Sequence, residues 1–175
     1  MEDEWFEIIF IGDCSVGKTN IMSKYLKNEF NHNSYATLGV DYHQKHLRIE
    51  NHTIQLQMWD TSGNERFKPL TSNHYKRTKA VIIVYDITHK DSFNSVDKWL
   101  KDYISINGND SIIILIGNKL DLKKKRQVTK EEGELKAKQL KAEFFEVSAL
   151  TGENIDKVFE MLKTRIYKKF FISKK

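Results

Sequence analysis

The clearest chemistry in the chain lies in Gly12-Asp13-Cys14-Ser15-Val16-Gly17-Lys18-Thr19, which reads G-x-x-x-x-G-K-T. It follows the apolar run Trp5-Phe6-Glu7-Ile8-Ile9-Phe10-Ile11. A buried strand, a glycine-rich turn and then a helix is the context in which this pattern cradles phosphate. Glycine lets backbone N–H groups converge on phosphate oxygens where a side chain would collide. The helix N-terminus adds unpaired donors and the positive end of its dipole. Lys18 can reach β and γ phosphates, and Thr19 can place its hydroxyl on a Mg²⁺ ion. The expected phosphate contacts are Ser15, Val16, Gly17, Lys18, Thr19 and Asn20. The alternative is a chance loop between strand and helix, and the motif alone identifies neither the base nor its use.

Four further segments fall in loops beside apolar runs. In Trp59-Asp60-Thr61-Ser62-Gly63-Asn64-Glu65-Arg66-Phe67, an aspartate at a strand end can hold Mg²⁺, and Gly63 can offer its N–H to a γ-phosphate. Asp60 can equally be a turn or cap residue. In Asn118-Lys119-Leu120-Asp121, the carboxylate can accept from the N1–H and 2-amino edge of guanine, which adenine cannot match. Asn118 can tie loops together there, and the stem of Lys119 can cover a ring face. An ordinary surface turn has the same pattern. Ser148-Ala149-Leu150 can bring a backbone N–H to the guanine oxygen. In Thr37-Leu38-Gly39-Val40-Asp41-Tyr42, the Thr37 hydroxyl can complete Mg²⁺ coordination when a γ-phosphate is present, ordering the segment by nucleotide state. Thr37 can also be a plain strand-start residue.

The elements that would position these loops follow from apolar periodicity. Strands are expected near 5–11, 41–49, 53–59, 80–86, 111–117 and 144–147, the second and third forming a hairpin across Glu50-Asn51-His52. Helices are expected over 18–28, 92–105, 130–141 and 155–170, with a polar loop from Phe30 to about Leu38. Strands alternating with helices imply a mostly parallel sheet covered on both faces, with ligands at the carboxyl ends of the strands. All the motifs fall at that edge.

Composition narrows the setting. The chain has 175 residues, 39% hydrophobic and 30% charged, and a formal net charge of +5. That suits one compact domain. No apolar run approaches the roughly 20 residues that span a bilayer. The acidic start Met1-Glu2-Asp3-Glu4 argues against a secretory signal. A single cysteine, Cys14, makes no internal disulfide and fits a reducing compartment. The cluster Lys123-Lys124-Lys125-Arg126 and the C-terminal lysines have no interleaved aromatics, so they read as solvated surface rather than a nucleic-acid site.

Taken together, G-D-C-S-V-G-K-T, T-L-G-V-D-Y, W-D-T-S-G-N-E-R-F and N-K-L-D resemble the Ras-like small GTPases over nearly the whole chain. Gly39-Val40-Asp41, Trp59, Glu65-Arg66-Phe67 and Arg126-Gln127-Val128-Thr129-x-Glu-Glu-Gly make it similar to the Rab family within them. The resemblance implies residues 1–175 as a single G domain with an α/β P-loop NTPase fold. Its mostly parallel six-stranded sheet would have one antiparallel edge strand and helices on both faces. It implies a GTP/GDP switch in vesicle traffic that hydrolyses GTP. Lys18, Gly63 and residue 64 would serve catalysis. Thr19, Thr37 and Asp60 would hold Mg²⁺. Phe30, Asn118, Lys119, Asp121, Ser148, Ala149 and Leu150 would hold the guanosine. Tyr42, Trp59 and His74 occupy the positions of the aromatic trio that Rab effectors read.

Three positions depart from the family pattern. Asn64 stands where a glutamine positions the attacking water, Ser62 replaces an alanine, and His74 replaces a tyrosine. Slow intrinsic hydrolysis is therefore expected, with a GTP-binding module that barely hydrolyses as the alternative. An ATP-using enzyme is disfavoured by Asn118-Lys119-x-Asp121. The partners implied are an exchange factor, a TBC-type activating protein and effectors, meeting Thr37–Tyr42, Trp59 and Asn64–Lys76. A monomer in the cytoplasm is expected, reaching the cytosolic face of membranes only through a lipidated tail, since no prenylatable cysteine ends this chain.

Overall fold

A computed structural model describes residues 4–33 and 36–172. The acidic start Met1-Glu2-Asp3, part of the polar loop (Ser34 and Tyr35) and the last lysines, Lys174 and Lys175, lie outside the described residues. The strands are β1 (Glu4–Ile11), β2 (Val40–Ile49), β3 (His52–Thr61), β4 (Ala80–Asp86), β5 (Ile112–Asn118) and β6 (Glu143–Glu146). The helices are α1 (Lys18–Lys27), α2 (Lys68–Ser72), α3 (Lys90–Asn94), α4 (Val96–Asn107), α5 (Lys130–Leu140) and α6 (Ile155–Tyr167).

The six strands form one sheet in the order β2-β3-β1-β4-β5-β6. The β2–β3 hairpin is antiparallel, and every other pairing among the described strands is parallel. β4 is buried along its whole length, as its unbroken run Ala80-Val81-Ile82-Ile83-Val84-Tyr85 requires of a strand covered on both faces. One face packs Ile8, Phe10, Ile82 and Ile114 against Ile21 of α1 and Val158, Phe159 and Leu162 of α6. The other packs Ile9, Val81, Ile83 and Leu115 against Phe93 of α3, Val96, Trp99 and Tyr103 of α4 and Ala137 of α5. Among the described residues, no helix is long and apolar enough to cross a membrane.

The helix expected over 92–105 starts earlier, at Lys90, and breaks at Ser95 into α3 and α4. The Ser95 hydroxyl donates to the Asp91 carbonyl at 3.1 Å, sharing it with the Ser95 N–H at 3.0 Å, so the backbone bonds continue across the break. The last helix ends at Tyr167 rather than Phe170, and Lys168–Ile172 form a wider π-type turn. That turn brings Phe170 and Phe171 to 5.2 and 6.0 Å from the Phe6 ring, and Phe171 to 4.4 Å from His52. Burial of two aromatic rings against β1 and the hairpin turn outweighs continuation of the helix.

The segment Thr129-x-Glu-Glu-Gly has a structural account. Thr129 and Glu132 form a reciprocal capping box at the start of α5. Gly133 follows because a Cβ there would lie 2.4 Å from the Phe144 ring and 2.6 Å from the Tyr85 hydroxyl. Arg126 does not join the basic surface of Lys123, Lys124 and Lys125. It grips the buried Glu146 through two bonds of 2.5 and 2.9 Å, which locks the Leu120–Lys125 turn to the end of β6.

Candidate functional site

The phosphate-binding loop leaves β1 and turns through Gly12, Ser15 and Gly17, all at positive φ. Gly17 sits at the N-cap of α1 with no side-chain cap, so the first N–H groups of that helix are left for an external acceptor. The Lys18 ammonium is buried over the loop and donates to the Gly12 and Asp13 carbonyls at 2.8 and 2.7 Å. Burial pushes its pKa down to about 8, while the charges of Asp60, Cys14 and Asp13 pull the other way. A polyphosphate arriving here would meet a cation whose hydrogen-bond partners among the described residues are the Gly12 and Asp13 carbonyls.

Three oxygens converge beside it. Thr19 Oγ1 donates to Asp60 Oδ2 at 2.5 Å and lies 3.1 Å from Thr37 Oγ1. Asp60 is fully buried at the end of β3, and its Oδ1 has no hydrogen-bond partner among the described residues. Burial raises the Asp60 pKa, and the Thr19 hydroxyl and Lys18 ammonium oppose that rise. An orphaned carboxylate oxygen beside two hydroxyls is an all-oxygen donor set, which fits Mg²⁺ rather than a softer metal.

The loops bearing Thr37 and Gly63 close over this point. Ser62 N donates to Gly39 O at 2.8 Å, joining the two segments. Gly63 rides directly on the phosphate loop: a Cβ there would fall 2.2 Å from both Asp13 C and Cys14 N. Only a glycine can sit at that distance. Asn64 does not point its amide into the cleft. Its Oδ1 accepts from Arg66 N at 3.0 Å and caps the Glu65–Phe67 turn, while its own N–H goes to Ser62 Oγ at 3.2 Å. The turn is held against α4 by the Lys98–Glu65 and Lys68–Asp102 ion pairs.

The cleft continues into a second cavity of about 360 Å³. Phe30, Asn118, Lys119, Asp121, Ala149 and Leu150 line it, together with Ser15, Gly17 and Asn20 from the phosphate side. Its volume lies within the range of small-molecule sites. Asn118 donates to Val16 O at 2.9 Å and accepts from Ala149 N at 3.1 Å, so one side chain joins three loops. The same amide occupies the space a Cβ on Gly17 would need, 2.2 Å away. Asp121 is exposed to the cleft, and Ser148 Oγ holds its Oδ1 at 2.6 Å. The N–H of Ala149 is engaged by Asn118, whereas that of Leu150 donates to no group among the described residues.

The structure thus brings the phosphate-side and base-side residues expected from the sequence into one continuous cleft at the carboxyl edge of the sheet. Asn64 lies beside the cleft with its amide turned away. Several supporting residues escaped the sequence reading. Asp86 pairs with the Lys119 ammonium at 2.7 Å, and Trp99 donates its indole N–H to Asp13 at 2.7 Å. Asp86 ends the apolar β4 run, a signal of the kind that marked Asp60. No local signal marks Trp99, which lies 86 residues from Asp13.

Outside the cleft, Tyr42, Trp59 and His74 form a continuous aromatic row, with ring separations of 4.9 and 4.2 Å. Trp59 is fixed by its indole N–H to the buried Glu7 at 2.9 Å. Leu38, at 81% exposure, and Leu70, at 54%, stand exposed on the same two segments.

A family profile described as the Ras family matches residues 7–168. The chain is also 43% identical over 162 residues to the Ras-related protein Rab-11C of Dictyostelium discoideum, covering 93% of this chain and 72% of that protein. The chain belongs to the Ras family. Within it, the chain is a small GTPase of the Rab type, and it binds GTP and GDP.

Proposed function

We propose that residues 1–175 work as one GTPase domain, a switch in vesicle traffic on the cytosolic face of intracellular membranes. GTP and GDP would be held by the residues described above. The observation that carries this reading is the continuity of the cleft. Lys18 and the Thr19–Thr37–Asp60 oxygens lie at one end, and Asn118 and Asp121 at the other.

Thr19, Thr37 and Asp60 would hold Mg²⁺. The bound ion would neutralise charge on the phosphate oxygens. Lys18 would leave the Gly12 and Asp13 carbonyls for the β and γ phosphates and stabilise charge developing there. The Gly63 N–H would bond the γ-phosphate, made possible by its seat on the phosphate loop. The Ser62–Gly39 bond couples Thr37 and Gly63, so both segments would respond together to the γ-phosphate. Asp121 would select guanine, with Ser148 orienting its carboxylate and Lys119 covering the ring.

Asn64, engaged in capping, leaves the attacking water without its usual side-chain partner. Intrinsic hydrolysis would be slow and the GTP state long-lived. A TBC-type activating protein would supply the missing groups. An exchange factor and effectors would meet Thr37–Tyr42, Trp59 and Asn64–Lys76, with Leu38 and Leu70 as further apolar anchors. Competition of GTP, GDP and ATP against a fluorescent GDP, followed by single-turnover GTP hydrolysis, tests the reading. ATP competing as well as GTP would overturn it.

A further inference from the structure

The base side of the cleft has four walls, and they are not held alike. Asn118 ties three of them together: the phosphate loop, its own loop and the segment at Ala149. The fourth wall is the chain leaving α1, which carries Phe30. Backbone bonds from Asn28 N and Glu29 N to Lys24 O and Ser23 O fasten that chain only as far as residue 29. Beyond it, among the described residues, the hydrogen bonds joining residues 30–33 to the body of the protein come from Asn20. Asn20 is 8% exposed on α1. Its Oδ1 accepts from Asn31 N at 3.0 Å and its Nδ2 donates to Asn31 O at 3.2 Å. Both ends of its amide are therefore used on the backbone of one residue. The Asn31 side chain accepts from Asn33 N at 3.0 Å and keeps the turn compact. Phe30, next to the clamped residue, packs on the core and lies edge-on to His32 at 4.8 Å.

We propose that Asn20 is a latch: its amide holds the Phe30 loop against the base side of the cleft and so sets the residence time of GDP and GTP alike. Asn20 is a positioning residue in this role, acting through Phe30. The inference rests on the nucleotide-binding reading above. Opening the base side requires both bonds to break at once, so the loop's local opening free energy depends on them. Asn20 lines both ends of the cleft, but the Asn31 backbone it holds belongs with Phe30 to the base-side wall, while Thr37 and Gly63 line the phosphate end. The bonds the latch makes go to Asn31 and involve neither Thr37 nor Gly63, so its hold should act on GDP and GTP alike.

The test is displacement of N-methylanthraniloyl-GDP, and of the corresponding non-hydrolysable GTP analogue, by excess unlabelled nucleotide. Loss of two net hydrogen bonds in Asn20→Ala should raise both dissociation rates roughly tenfold. Asn20→Asp keeps the acceptor for Asn31 N and should fall between the parent and Asn20→Ala. Phe30→Ala should also speed release. The double variant should release little faster than Phe30→Ala alone, since a latch without its cargo has nothing to hold. Parent-like release from Asn20→Ala overturns the latch, as does strict additivity with Phe30→Ala or a rise confined to the GTP analogue. Failure of the parent chain to bind either labelled nucleotide overturns the nucleotide reading itself.

Discussion

Asn64→Gln tests whether the capping amide withholds hydrolysis, as proposed above. In the structure the Asn64 oxygen accepts from Arg66 N at 3.0 Å, and an N-cap bond of this kind is worth ~1 kcal/mol. The amide must first give up that bond to serve the cleft, which at ~1 kcal/mol makes the competent state about five times rarer. It then falls short by one C–C bond, about 1.5 Å. Misplacement on the order of 1 Å costs about 10²-fold in rate. Glutamine removes the length deficit and caps a turn less well than asparagine, so both effects favour the variant. Single-turnover hydrolysis at saturating Mg²⁺, read by phosphate release, should therefore rise between roughly 100-fold and 500-fold, the upper figure if the capping bond is lost in full. Asn64→Leu should move the rate little, because the amide it deletes is already engaged elsewhere. Equal rates for the parent and Asn64→Gln would refute the geometric argument. A steep loss in Asn64→Leu would refute the claim that capping keeps the amide idle.

Asp121→Asn should weaken GTP binding and favour xanthine nucleotides, whose 2-oxo group accepts a bond that the new amide can donate. Its amide oxygen can still accept from Ser148, so the loop should stay in place, and unchanged GTP affinity in competition titrations would count against the role of Asp121. Thr19→Asn removes the hydroxyl shared between Asp60 and Thr37, and GTP affinity should fall further than GDP affinity because a Mg²⁺ held there would neutralise the extra charge of the γ-phosphate. Equal losses for both nucleotides would separate Thr19 from the metal. Gly133→Ala should cost ~1–3 kcal/mol in urea unfolding by overpacking the Tyr85 and Phe144 rings, and a parent-like midpoint would show that those rings can yield.

What sequence could and could not reveal divides along physical lines. The buried strands were legible because burial on both faces demands an unbroken apolar run, and β4 lies at residues 80–86 as its composition implies. The motifs were legible because a parallel sheet gathers its loops at one edge, so residues as distant as Thr19, Asp60 and Asp121 had to share a site. The break at Ser95 was not legible, because apolar spacing continues through it and so do the backbone bonds from Ser95 N to Asp91 O and from Trp99 N to Ser95 O. The short turns between 65 and 77 carried weak signals. Pro69 lies in the first turn of α2, and Asn64 stands before Glu65-Arg66-Phe67 as an N-cap would. That second signal competes with the other reading of the same residue. An asparagine suited to capping a turn and an amide suited to orienting a water are chemically alike, and only the direction of Oδ1 separates them. The Asn20–Asn31 clamp is hidden for a related reason: side chain-to-backbone bonds have no period, and the partner's identity leaves no trace when its backbone is what is bound. The residues whose roles depend on direction rather than type are therefore the ones on which this switch's timing would rest. Asn64 would set how long the GTP state lasts, and Asn20 would set how long either nucleotide stays.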